Sequence, residues 1–402
     1  MRLVCIHRDY DAKGITMYEI LILGAGYTGM AATMGLAGRL KGRDDVHITL
    51  VNPQTRFVER LRLHQTASGQ TLADFQIPEL LAGTGVDFVQ GWVTGFDADA
   101  RTVRIDDARS LRYDTLIYAL GSVADTAVVP GVDEFAYTLN SAQDAALLAE
   151  HLDRRSDGTV VVAGGGLTGI ESAAEIAEQH PDLDVVLLSR QEPGSMMGER
   201  ARARLHAGLD RLGVAVRAGV DIVKVMSDGV ALDNGEVVAA QAVLWTTGVR
   251  VSPIAAAAGL QVDDRGRIVT DKSLRSVSHP DVYAVGDAAA IHQGYGVMHG
   301  TCQSGIPTAL HAAASIAREL KGKQPKTFRF GYVHQPVSLG RHDAVIQFTH
   351  ADDSPRRFYL AGRLAAAYKE TVSSSPWTTY RLIKALPALG AATWRRGGRL
   401  TS

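Results

Sequence analysis

Two glycine-rich turns, each fed by branched apolar residues and followed by a helix-forming stretch, constrain this chain more than any other feature. The first is Ile20-Leu21-Ile22-Leu23-Gly24-Ala25-Gly26-Tyr27-Thr28-Gly29, and the second is Val160-Val161-Val162-Ala163-Gly164-Gly165-Gly166-Leu167-Thr168-Gly169. Each reads as a buried strand, a G-x-G-x-x-G turn and a helix. In that setting the first glycine makes the tight turn, the second lets a pyrophosphate approach the backbone, and the third lets helix and strand pack closely. The phosphates then sit on the positive end of the helix. One such motif alone also serves ordinary turns, but two in the same context make coincidence a poor explanation. A chain that holds two dinucleotides is expected to pass a hydride between them, with a flavin reduced by a nicotinamide.

The chain has 402 residues, 46% of them hydrophobic, and a formal net charge of -1, which suits a globular protein of two or three domains. The charge balance gives no hint of nucleic acid. No run of about 18 apolar residues occurs, so no spanning helix is expected. Met1 to Thr16 lacks the apolar stretch of a secretory signal, and a cytosolic location follows by default. Met17 stands directly before the first strand, so residues 1–16 read as a disordered extension or a misplaced start. Cys5 and Cys302 are the only cysteines, which excludes a disulfide scaffold and any C-x-x-C pattern.

The organisation expected is α/β, with two Rossmann-like dinucleotide-binding domains, the first interrupted by the second, and a small α+β C-terminal domain. The boundaries are 17–140 and 256–330 for the two parts of the first domain, 141–255 for the second, and 331–402 for the last. The first βαβ unit ends on Asn52, where an acidic residue normally takes the adenosine ribose; an amide can still donate and accept there. Strands Thr115 to Ala119 and Val243 to Thr246 run into the turns Leu120-Gly121-Ser122 and Thr247-Gly248-Val249. A third strand, Asp281 to Val285, ends in Gly286-Asp287-Ala288-Ala289, at the edge where open parallel sheets bind ligands. A long helix from about Ser304 to Leu320 carries Pro307 near its start. Beyond Gly331, alternation at Val333, Gln335, Val337 and Leu339, then Val345, Gln347 and Thr349, predicts antiparallel strands.

The order of GAGYTG, the ALGS turn, GGGLTG followed by Ile170-Glu171, the TTGV turn and YAVGDAAA resembles the two-dinucleotide-binding flavoprotein superfamily. Within it the chain is similar to type II NADH dehydrogenase and to the flavoproteins related to apoptosis-inducing factor. The resemblance implies that Gly24, Gly26, Thr28 and Gly29 hold the FAD pyrophosphate, Asn52 the adenosine ribose and Asp287 the ribityl region. It places Val93 on the adenine through its backbone, and Gly121, Gly248 and Gly286 on the turns that line the cofactors. Gly164, Gly166, Thr168 and Gly169 would hold NAD(P)H. Glu171 would lie near the nicotinamide and flavin, although a helix N-terminal acid favoured by the dipole is an equal reading. Gln303 and Ser304 would open the helix whose positive end faces the flavin. These imply an FAD-dependent NAD(P)H oxidoreductase with a quinone-like small-molecule acceptor and no metal. The alternatives are a reductase or oxidase of a soluble metabolite and a flavin-bound redox sensor.

Departures from the superfamily pattern narrow the chemistry. Members with a redox disulfide carry paired cysteines behind the first unit, and sulfide:quinone reductases also need them; neither pattern exists here. Cys302 alone also reads as a small packing group. In Phe57 to Gln65 the apolar pattern of the dehydrogenases gives way to Glu59, Arg60, Arg62 and His64, read either as a polar substrate site at Arg60 and His64 or as a solvated helix face. Strand Asp184 to Leu188 ends at Ser189-Arg190, where a carboxylate would favour NADH; Ser189 and Arg190 favour the 2′-phosphate of NADPH. From Trp377 to Leu400 basic residues interleave with Tyr380, Leu382, Ile383, Leu389 and Trp394, broken by Pro387 and Gly390. This tail reads as a helix on an anionic membrane, or equally as a segment packed on its own domain or on a partner in a homodimer.

Overall fold

The computed structural model describes residues 17–386 together with the short strand Val4–Cys5. Two five-stranded, wholly parallel sheets organise it. The first has the order Val282–Ala284, Thr115–Tyr118, Tyr18–Leu23, Val46–Asn52, Val86–Gln90. The second has the order Tyr137–Thr138, Ala242–Trp245, Thr159–Ala163, Asp184–Ser189, Ala215–Ala218. Each places its glycine-loop strand in the middle. The continuous Val/Ile/Leu runs of those central strands follow from this position, because helices cover both faces of a parallel sheet and leave no polar side. Ile22, Leu23, Val161 and Val162 are fully buried, each contributing roughly 1.5–3 kcal/mol.

The first sheet draws its edge strand Val282–Ala284 from beyond the second sheet in sequence, so the first dinucleotide fold is interrupted by the second. Helix Tyr27–Arg39 crosses helix Cys302–Glu319 at close range, since a Cβ on Gly35 would lie 3.1 Å from that of Ala313. The long helix begins at Cys302, two residues before the expected start. A capping box between Thr301 and Ser304 sets that start, and Pro307 therefore lies inside the helix rather than at its entrance. The third domain is the antiparallel sheet His334–Ser338, Ala344–Thr349, Pro355–Ala361 with helix Arg363–Ser374 on it.

Two expectations about the chain ends change. Val4–Cys5, placed by sequence in an extension, pairs in parallel with Arg109–Ser110 at the edge of the antiparallel sheet Val93–Asp97, Thr102–Ile105, Arg109–Arg112, where a strand's free backbone groups accept any extended segment. At the other end, helix Pro376–Ala385 packs on the body: Trp377, Tyr380 and Ile383 are buried, and Trp377 stacks on Phe75 at 4.7 Å. Those three residues are core, not a lipid-facing stripe. Pro387, Leu389, Gly390, Trp394, Arg395, Arg396 and Arg399 lie outside the described residues.

Candidate functional site

The two glycine loops have nearly the same geometry. Gly24 and Gly164 adopt φ of 92° and 120°, a region that L side chains rarely enter. A Cβ on Gly29 would lie 1.7 Å from the Gly24 carbonyl oxygen, and one on Gly169 1.8 Å from that of Gly164, so the third glycine is required for the helix to close on the turn. Gly26 and Gly166 behave differently: a Cβ there would meet no protein atom within 4 Å. Both are exposed helix N-caps, and neither helix has an acid in its first turn. The residues thus leave open space at the positive end of each helix, which fits a dinucleotide pyrophosphate at both loops.

Around the first loop, Thr28 packs against Gly286 and Gly305, whose added Cβ atoms would approach its hydroxyl to 2.7 and 2.8 Å. Asn52 Oδ1 accepts from the Ala25 N–H at 2.9 Å and its Nδ2 donates to the Gln54 carbonyl, so both ends of the amide are bonded to backbone and fix the loop. Gly121, Gly248 and Gly286 all turn at positive φ. Directly after the first two, Ser122–Ala124 and Val249–Val251 pair antiparallel, which joins the two dinucleotide folds at their strand ends. The Ser122 hydroxyl donates to Asp287 at 2.7 Å. Val93 opens the strand Val93–Asp97 beside the exposed Trp92. Around the second loop, Thr168 is exposed and Ser189 is buried beneath Gly165. Arg190 is 72% exposed and its Nε donates to Asp221 at 2.6 Å.

Glu171 is the fifth residue of helix Leu167–Gln179, beyond the turn in which the dipole acts, and the dipole-favoured reading does not describe it. Its carboxylate is buried. Oε1 accepts from Lys369 Nζ at 2.9 Å and from the N–H and hydroxyl of Ser338 at 3.0 and 3.1 Å. Burial pushes its pKa up, but Lys369, the neighbouring His64 and the Ser338 donors hold it below the ordinary value. His64 is itself buried, so the solvated-face reading of that segment fails. Its Nε2 has no hydrogen-bond partner, and burial takes its pKa down to about 4 against the opposing pull of Glu171. Arg62 ties Glu59 to Glu370, and Arg60 donates to the Ser122 carbonyl at 2.5 Å. Glu59 and Arg62 are thus taken into an internal pair that reaches the third domain, while exposed Arg60 binds the backbone of the Ser122 turn.

A cavity of about 270 Å³ opens at this centre, lined among others by Gln65, Ser338, Arg341, Lys369 and Glu370. Gln303 stands nearby in the fold: its Nε2 donates to the His334 carbonyl and its Oε1 accepts from the Val333 N–H. Both amide ends are thereby committed to binding the helix start to the third domain. His334 is largely buried, and burial with the Lys369 charge lowers its pKa to about 4. Lys369 escaped the sequence reading. Its one signal is position, since it shares the buried stripe Ala365, Lys369, Ser373 of an amphipathic helix, where a lysine needs a partner.

A model of the family described as pyridine nucleotide-disulphide oxidoreductase matches residues 18–315. An NADH dehydrogenase-like protein of Mycobacterium tuberculosis is 30% identical over 383 residues, covering 89% of this chain and 94% of its own. A type II NADH:quinone oxidoreductase of Staphylococcus saprophyticus is 26% identical over 359 residues, covering 81% and 89%. Among solved structures, the sulfide:quinone oxidoreductase of Aquifex aeolicus superposes with a TM-score of 0.79 at 17% identity over 94% of each chain, a likeness of fold alone. With two open glycine cradles on paired parallel sheets, this chain belongs to the pyridine nucleotide-disulphide oxidoreductase family and is an NAD(P)H dehydrogenase using flavin and nicotinamide cofactors.

Proposed function

We propose that the chain passes two electrons from NAD(P)H through non-covalent FAD to a quinone. The observation that carries this reading is buried Lys369 at the wall of the 270 Å³ cavity, paired with Glu171 behind it: a buried ammonium beside an acceptor site can give the proton that a reduced quinone oxygen takes up. Gly24, Gly26, Thr28, Gly29 and Asp287 would hold the FAD, and Gly164, Gly166, Thr168 and Gly169 the nicotinamide dinucleotide. Bound flavin supplies the exchange between a hydride donor and an acceptor. Glu171 orients Lys369 and offsets its charge, while Ser338 fixes Glu171. Gln303 holds the third domain against the helix that begins at Cys302. The absence of paired cysteines argues against sulfide or disulfide substrates.

The Arg190–Asp221 pair bears on the nicotinamide. Arg190 could receive a 2′-phosphate, as the sequence suggests, but Asp221 is bonded to it and would repel that phosphate, which favours NADH. Arg190→Ala should then affect the KM for NADH and NADPH alike, whereas Asp221→Asn should lower the KM for NADPH. A rise confined to NADPH in Arg190→Ala would restore the NADPH preference. Among the described residues no helix is long and apolar enough to cross a membrane. Exposed Leu382 and Leu386 beside Arg381 and Lys384 support peripheral contact near the tail.

The reading is tested by anaerobic stopped-flow reduction of the yellow protein by NADH and by NADPH, followed by mixing with a soluble quinone. Rapid bleaching and quinone-driven return of the flavin band are expected. Bleaching without return would reject the quinone, and no bleaching would reject hydride donation at the second loop.

A further inference from the structure

Helix Leu167–Gln179 carries a second buried acid. Glu175 follows Glu171 by four residues, on the same face of helix Leu167–Gln179, with Cβ atoms about 5–6 Å apart at that spacing. It is 0% exposed. Its Oε1 accepts from Gln70 Nε2, and its Oε2 is buried with no hydrogen-bond partner. A carboxylate so placed is expensive to ionise, whereas a neutral acid needs only to keep its proton. Three residues further along, half-buried Glu178 accepts from the Arg341 N–H at 2.7 Å. The face therefore runs from surface to centre as Glu178, Glu175, Glu171, ending on Lys369.

The charged and titratable groups around Glu175 come from four elements. Its own helix supplies Glu171 and Glu178, and the turn after strand His334–Ser338 supplies Arg341. His64 and Lys369, from helices Leu63–Ala67 and Arg363–Ser374, act on the adjoining Glu171. Burial raises the Glu175 pKa to about 7, with Gln70 and Arg341 opposing and Glu178 and Glu171 adding. The acid thus exchanges its proton near neutral pH.

We propose that Glu175 is the proton store behind the Glu171–Lys369 pair, refilled from solvent past Glu178. The proposal rests on the quinone reading. One turnover converts NAD(P)H, one proton and a quinone into NAD(P)⁺ and a quinol, so one proton enters from water beyond the hydride. Lys369 gives a proton from Nζ to a quinone oxygen as that oxygen becomes a hydroxyl. Glu175 then gives up its carboxyl proton, which passes through Glu171 to the free amine of Lys369. A solvent proton restores Glu175, and the electrons come from the hydride alone. Glu175 is a positioning residue for protons; it does not touch the acceptor.

The test compares the full-length protein with Glu175→Gln, which keeps the shape and can still bond Gln70, and with Glu175→Asp. Reduction of the flavin by NADH should match the parent in both variants. Reoxidation by a soluble quinone should slow about tenfold in Glu175→Gln at about pH 8, lose its dependence on pH near neutrality, and regain that dependence in Glu175→Asp. Infrared difference spectra taken across neutral pH should show a carboxylic acid band in the parent that Glu175→Gln lacks. Parental reoxidation rates and pH profile in Glu175→Gln would overturn the relay, and so would an infrared band unchanged by the substitution. A parent that quinone does not reoxidise would sink the quinone reading and the relay with it, while the infrared titration still reports the acid itself.

Discussion

Replacing Gly166 by alanine separates what the second loop does for the protein from what it does for a ligand. Gly166 has φ −73° and ψ 174°, ordinary extended backbone that alanine adopts without strain. Its added Cβ would meet no protein atom within 4 Å. Stability should therefore hold or rise by about 0.4–1 kcal/mol, the usual gain from restricting the unfolded chain. A dinucleotide phosphate is affected differently. Backbone N–H groups hold such oxygens at about 2.7–2.9 Å, whereas a methyl carbon needs about 3.5–4.0 Å. The pyrophosphate must retreat by roughly 1 Å and forfeit at least one bond to a charged group, worth about 1.5–3 kcal/mol. The KM for the nicotinamide dinucleotide should rise about 10- to 150-fold, with flavin content unchanged because the Gly26 loop is separate. Steady-state kinetics, absorbance of bound flavin and a melting curve measure all three. An unchanged KM would mean that no phosphate sits on this loop, and a large fall in melting temperature would mean that Gly166 is a packing residue. Gly169→Ala is the contrast, since its Cβ would strike the Gly164 carbonyl at 1.8 Å and should destabilise the domain itself.

Three further outcomes follow from the same geometry. Lys369→Met strands the Glu171 carboxylate in the interior and should cost about 3 kcal/mol; a lower urea midpoint that adding Glu171→Gln partly restores is expected, and an unchanged midpoint would remove the buried pair. His47 bonds Glu19 and Asp87 at 2.8 and 2.9 Å, and the Glu19 bond foremost raises its pKa from 6.5 to about 9 against burial. Its folded pKa is the higher one, so this stabilisation is complete below about pH 6.5 and disappears as pH rises through about 9. The melting gap between parent and His47→Gln should close over that window, and a gap that widened would reverse the assignment. Truncation after Leu386 keeps buried Trp377, Tyr380 and Ile383, so the shortened protein should fold, and it keeps exposed Leu382 and Leu386 beside Arg381 and Lys384, so it should still float with anionic liposomes; loss of flotation would move the membrane contact into residues 387–402.

The duplicated α/β plan is legible in local pattern alone. Glycine spacing and strand hydrophobicity are local signals: the steric demand at Gly24 or Gly164 is met within a few residues, and a strand covered on both faces must be apolar throughout. The turns at Gly121, Gly248 and Gly286 were legible for the same reason. The polar centre was decided by tertiary structure. Glu171 and Lys369 are far apart in the chain, and nothing in either segment announces the other until the third domain packs on helix Leu167–Gln179. Burial then changes the chemistry of residues whose identity was plain from the start. Desolvation lowers the His64 pKa and raises that of Glu175, and Arg62 is absorbed into a pair with Glu370. The C-terminal tail shows the same division: interleaved basic and aromatic residues fit a membrane helix and a packed helix equally, and only the apolar ground offered by Phe57 and Phe75 assigned its first half to the core.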